Sequence, residues 1–104
     1  MNLGRMRYRA QIQDYQTSKD ADGFVTKQWQ TIRTVWADMV PTSGKESIDN
    51  ATETGSVIWK IYIRYTEGIK TTMRILIDSR AFEVLAVVGD KRSGMLTLQC
   101  SEVL

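Results

Sequence analysis

Val57-Ile58-Trp59-Lys60-Ile61-Tyr62-Ile63-Arg64-Tyr65 is the stretch whose reading settles the fold class. Its side chains alternate with the period of a strand. Val57, Trp59, Ile61, Ile63 and Tyr65 share one face, and Ile58, Lys60, Tyr62 and Arg64 share the other. The first face is apolar throughout and predicts a strand packed on a core. The second mixes Ile58 and Tyr62 with two cations, and suits solvent or partial cover by another chain.

The same rhythm recurs on both sides. Tyr8, Ala10 and Ile12 predict an inward face, with Arg5, Arg7 and Arg9 aligned opposite. The plain reading of that arginine row is a solvated strand face. The sharper one is a cationic stripe that meets phosphates or a neighbour's carboxylates. Asp20-Ala21-Asp22-Gly23 is a turn signal. It lacks the acidic spacing and closing glutamate of a calcium loop. Val25 to Val40 predicts a long strand. Trp29, Ile32, Val35 and Trp36 cannot share one face of a regular strand, so a bulge or bend is required.

Downstream, Thr66-Glu67-Gly68 marks a turn. Met73, Ile75 and Ile77 alternate with polar or mixed positions, and Asp78-Ser79-Arg80 predicts a tight connection. Phe82, Val84, Ala86 and Val88 are expected on one face of the next strand. Gly89 to Gly94 then predicts a hairpin loop before Met95 to Leu104 completes the sheet. Short strands separated by turns, with no βαβ rhythm, predict an all-β fold. The expected form is a small barrel of about six mostly antiparallel strands, which leaves no exposed sheet edge.

With 104 residues the chain is one domain by size, 42% hydrophobic and 25% charged, which places it among globular rather than disordered chains. No apolar run approaches the ~20 residues of a membrane helix. Met1-Asn2-Leu3-Gly4-Arg5-Met6 lacks the apolar stretch of a secretory signal, so the chain is expected to be unprocessed and intracellular. The absence of histidine and the single cysteine remove the commonest general base and nearly all nitrogen–sulfur metal sites. Cys100 lies in a strand pattern and reads as a small buried hydrophobe. No paired carboxylates, nucleophile triad or phosphate loop stands out. No catalytic, metal or cofactor site is therefore expected, and no small-molecule substrate.

One polar segment interrupts this pattern. Thr34-Val35-Trp36-Ala37 leads to Pro41, the only proline, and Thr42 to Gly55 then has no core character. Trp36 and Pro41 read as the structural anchor where the strand releases the chain. Within the insertion, Ser43 and Glu46 have capping-box spacing, and Ile48 and Ala51 form one thin apolar stripe. Gly44, Asp49, Asn50 and the threonines oppose a helix. An isolated helix under ~12–15 residues is marginal in water. The expectation is a polar loop or short helix over 42–55, ordered by a neighbour.

These pieces, in their order, resemble the phage head–tail joining proteins, the head-closure or stopper proteins of head–tail adaptor type. The resemblance runs nearly end to end. It is carried by Arg5-Met6-Arg7-Tyr8-Arg9 leading into Ile12-Gln13, Asp22-Gly23 before Trp29, and Thr34-Val35-Trp36-Ala37 with Pro41, Ser43-Gly44 and Glu46. Ile63-Arg64-Tyr65 with Gly68-Ile69, Met73-Arg74-Ile75, Phe82-Glu83-Val84 and Leu96-Thr97-Leu98-Gln99-Cys100 continue it.

The resemblance implies a small β-barrel that forms a homo-oligomeric ring in the virion neck, assembled in the host cytoplasm. Its implied partners are a portal or adaptor protein above, a tail protein below and packaged double-stranded DNA in the channel, with no membrane. It also implies that the insertion points into the channel and helps close it after packaging. Channel and subunit contacts would then fall to Ser43, Gly44, Lys45, Glu46, Ser47, Asp49, Asn50 and Thr52. The insertion departs from the usual pattern in being rich in threonine and poor in glutamine. Two alternatives stand beside this reading. One is a tail-completion protein of the same region. The other is a single-strand nucleic-acid-binding barrel, suggested by Trp59-Lys60 and Tyr62-Arg64.

Overall fold

The computed structural model describes residues 6–42 and 57–103. These form six strands: β1 (Tyr8–Lys19), β2 (Val25–Pro41), β3 (Ile58–Arg64), β4 (Arg74–Ile77), β5 (Arg80–Asp90) and β6 (Met95–Val103). Every pairing is antiparallel, in the cyclic order β1-β2-β3-β6-β5-β4, with β4 returning to β1. The result is an all-β domain built on a closed ring of sheet.

Alternation along each strand fills the interior. Ala10 and Ile12 of β1, Ile61 and Ile63 of β3, and Ile75 and Ile77 of β4 are all buried. Phe82, Val84, Leu96, Leu98 and Cys100 complete the core with Ala37, Met39 and Met73. Tyr8, Trp59 and Tyr65 are partly buried against it, as their strand faces predicted. Val57 departs from that expectation. It precedes β3 and is exposed, whereas Ile58 is buried.

Two bulges change the faces. In β2, Arg33 pairs with Ile12 and Thr31 with Gln13, so Ile32 has no partner on β1. That extra residue is the irregularity the β2 pattern required. It brings Trp29 to the same side as Tyr15, and their rings stack with centroids 4.0 Å apart. In β5, Val84 pairs with Cys100 and Ala86 with Gln99, leaving Leu85 over. The regular face expected for Phe82, Val84, Ala86 and Val88 therefore ends at Val84. Beyond the bulge Val87 packs on the core, and Val88 is exposed.

The far half of β1 and the part of β2 that faces it lie outside the closed part. β1 meets β4 only from Gln11 to Gln13, and β2 meets β3 only from Ala37 to Pro41. The stretches from Asp14 to Lys19 and from Val25 to Gln30 therefore pair only with each other and form a two-stranded arm. The molecule measures 50 × 32 × 24 Å. Asp20 ties the tip, its Oδ1 accepting the amides of Asp22 and Phe24, each at 2.9 Å. Gly23 sits at φ +85°, a left-handed value that glycine takes without strain.

Candidate functional site

The register places two features at opposite ends of the closed sheet. The arm leaves β2 on one side of its Ala37–Pro41 stretch, and the polar insertion leaves it on the other. The insertion is pinned at its roots. The backbone N–H of Thr42 donates to the Ile58 carbonyl at 2.9 Å, and its Oγ1 donates to the same oxygen at 3.0 Å. Thr42 and Ile58 are both buried. The chain thus leaves and rejoins the sheet at one point. Pro41 is the last residue of β2, opposite Trp59 on β3. The predicted contact residues Ser43, Gly44, Lys45, Glu46, Ser47, Asp49, Asn50 and Thr52 lie outside the described residues, as does Arg5.

An ion pair braces the rim near these roots. Arg80 donates through Nε and Nη2 to the Glu102 carboxylate at 2.9 and 2.7 Å, a two-pronged pair. That hydrogen bond raises the Arg80 pKa and lowers that of Glu102. The side chains remain 41% and 21% accessible, so solvent screens the pair and its stabilising contribution is small. The Arg80 guanidinium also lies 4.9 Å from the Trp59 ring, which meets Phe82 edge-on at 6.0 Å. Trp59 is therefore held between core and rim, and is not laid out as a stacking platform for bases.

The arginine row opens onto a groove at the other end. Met6, Arg7, Arg9, Thr34, Val35, Trp36 and Arg64 line about 690 Å³ where β2 parts from β3. Arg9 and Trp36 are direct partners across β1 and β2. The Arg9 guanidinium sits 4.5 Å from the Trp36 ring. Trp36 itself is 52% exposed on the outer wall, so its ring is not part of the core. Arg7, Arg9 and Arg64 are exposed, and no carboxylate lines the groove among the described residues. Its chemistry is that of a site for anionic groups beside an aromatic surface. The sequence showed the first two arginines. It did not show Arg64, which is brought alongside by the β2–β3 register rather than by any local pattern.

A third feature, missed in the sequence, is the arm tip. Phe24 is 68% exposed and Val25 59%, next to the carboxylates of Asp20 and Asp22. The tip thus exposes two adjacent large apolar side chains to solvent. No cluster of metal-ligating side chains occurs among the described residues. Cys100 is fully buried and its thiol is pushed up to about 12 by desolvation, which leaves it inert as a nucleophile.

Comparison with known proteins agrees with this architecture. The chain is similar to the head completion protein gp7 of Enterobacteria phage HK97, with 26% identity over 91 residues, covering 86% of this chain and 81% of that protein. Its fold is similar to the solution structure of protein SF1141 from Shigella flexneri 2a, with TM-score 0.78 and 29% identity over 98% of this chain and 96% of that one. It is also similar to a chain of the native gene transfer agent virion, with TM-score 0.66 and 26% identity over 93% and 96% of the two chains. Residues 1–103 match the family described as phage head completion protein, and the chain belongs to that family of structural neck proteins of tailed-phage virions.

Proposed function

We propose that copies of this chain form a ring in the phage neck, closing the DNA channel after packaging and joining head to tail. The closed sheet serves as a rigid barrel body, and the 42–55 insertion is the gate. One observation carries this reading: Thr42 and Ile58 pin both roots of the insertion to one point of a fixed sheet. A segment so held is aimed by the body, and a ring repeats that aim around its axis.

The residues of the insertion suit such a gate. Ser43, Ser47, Asn50 and Thr52 have short polar side chains that hydrogen-bond across subunits without a core. Lys45 beside Glu46 and Asp49 gives mixed charge, which avoids a strongly cationic lumen that grips moving DNA. The gate works by rearrangement and not by chemistry. The ring meets a portal or adaptor protein above and a tail protein below, after assembly in the host cytoplasm. The arginine row of Arg5, Arg7 and Arg9 serves as an interface or phosphate stripe, and Trp36 and Pro41 anchor the strand that leads to the gate.

Deleting Gly44 to Thr54 tests the gate. The shortened chain is expected to fold and to enter particles, while packaged DNA leaks from the heads. Heads that carry the shortened chain, keep their DNA and join tails normally would refute the gate.

A further inference from the structure

The arm tip and the arginine groove are complementary surfaces that cannot meet within one molecule. The tip offers the carboxylate of Asp22 and the second oxygen of Asp20, whose Oδ1 holds the turn, with Lys19 behind them and Phe24 and Val25 exposed beside them. The groove offers three guanidinium groups with Val35, Trp36 and Met6. From Trp36 at the groove to Val25 at the tip, β2 extends roughly 35 Å at about 3.3 Å per residue. It pairs with β1 along that length, with one bulge at Ile32, and ends in a closed turn. The tip is therefore separated from its own groove by that length of strand.

We propose that the arm tip of one copy seats in the Arg7–Arg9–Arg64 groove of the next. The proposal rests on the ring reading above and names the surfaces that make the ring. The tip carboxylates meet the arginines, while Phe24 covers Val35 and the exposed part of Trp36. Such a contact joins two different patches, so it is heterologous, and heterologous contacts generate rings when the rotation closes. The occupant is another copy because this chain itself carries exposed carboxylates and apolar side chains of the kind the groove accepts.

The arm is built to be presented. The Tyr15–Trp29 stack stiffens it, and Arg74 on β4 lies 4.3 Å from the Trp29 ring. Arg74 Nε also donates to Gln13 Oε1 at 2.7 Å, and Gln13 Nε2 donates to Thr31 Oγ1 at 2.9 Å. These bonds fix the arm's root to the closed sheet. A pre-set arm loses less freedom on docking than a floppy one.

Cysteines at both surfaces test the contact in assembled particles. Phe24→Cys and Arg64→Cys in one full-length chain should give, on oxidation, a ladder of linked multimers of this chain alone. Neither single substitution should give the ladder, and the native Cys100 is buried out of reach. Asp22→Arg should weaken incorporation of the chain into particles, and adding Arg64→Asp should restore it. A merely structural role for Asp22 predicts no such rescue. Links to a different virion protein, or dimers that go no further, would overturn the proposal. So would an absent ladder together with an absent rescue in particles whose reconstruction shows a ring of this chain. Single copies without a ring in that reconstruction would instead overturn the ring reading itself.

Discussion

The guanidinium of Arg74 lies 4.3 Å from the Trp29 ring, tying β4 of the closed sheet to the two-stranded arm. Trp29 is in turn stacked on Tyr15. The stack contributes about 0.5–1.5 kcal/mol and the cation–ring contact about 0.5–1 kcal/mol. Trp29→Ala should therefore loosen the arm without unfolding the core. Hydrogen exchange should speed up for amides of Asp14–Lys19 and Val25–Gln30, and stay slow at Ile75 and Leu98. Unchanged arm protection would show that the brace does not hold the arm.

Trp36→Ala is expected to be mild. A core tryptophan costs ~3–5 kcal/mol on truncation. Trp36 is 52% exposed and stacks with Arg9, so its loss should cost about 1 kcal/mol. Phe82→Ala, at a fully buried position, should cost ~3–5 kcal/mol in the same denaturant titration. Equal losses for the two variants would contradict the placement of Trp36 on the outer wall.

Gly89 and Gly94 separate strain from collision. Both have left-handed φ, +123° and +76° respectively. A methyl at Gly94 enters open space, so Gly94→Ala meets only the backbone penalty of roughly 1–2 kcal/mol. A methyl at Gly89 runs into the Met95 carbonyl oxygen and lies 3.2 Å from Leu96 Cα. Gly89→Ala should thus lower the melting temperature clearly more than Gly94→Ala. A smaller loss at Gly89 would mean that the β5–β6 hairpin shifts to make room.

Cys100 gives the fold a specific alkaline weakness. Its folded pKa is raised to about 12 by burial, above the ~8.5 of an exposed thiol. A raised folded pKa stabilises the fold fully below the unfolded pKa. That contribution is lost as pH rises from ~8.5 through the folded value. Wild-type stability should fall more steeply than that of Cys100→Ala above pH ~9, by up to about 1.4 kcal/mol per pH unit. Parallel stability curves for the two proteins would argue against a buried thiol.

The strand content was legible because alternation is local. Ala10 with Ile12, Ile61 with Ile63, and Ile75 with Ile77 each declare a face within a few residues. The need for a bulge in β2 was also legible, since Trp29, Val35 and Trp36 conflict on a regular strand. The β5 bulge was not, because Val84-Leu85-Ala86-Val87-Val88 is apolar at every position and carries no phase. Pairing across the sheet decided it. Trp36 illustrates a related ambiguity, for a large aromatic serves a core and an outer wall equally well. The groove escaped for a different reason. Arg64 is far in sequence from Arg7 and Arg9, and only the closed order β1-β2-β3 brings them together.

A reconstruction of the neck by electron cryo-microscopy, from particles containing this chain, tests the central claim most directly. The account predicts several copies around the DNA channel at the head–tail joint, each with Pro41 and Ile58 turned toward the axis. Copies placed singly, or a ring whose Pro41 and Ile58 ends face outward, would contradict it.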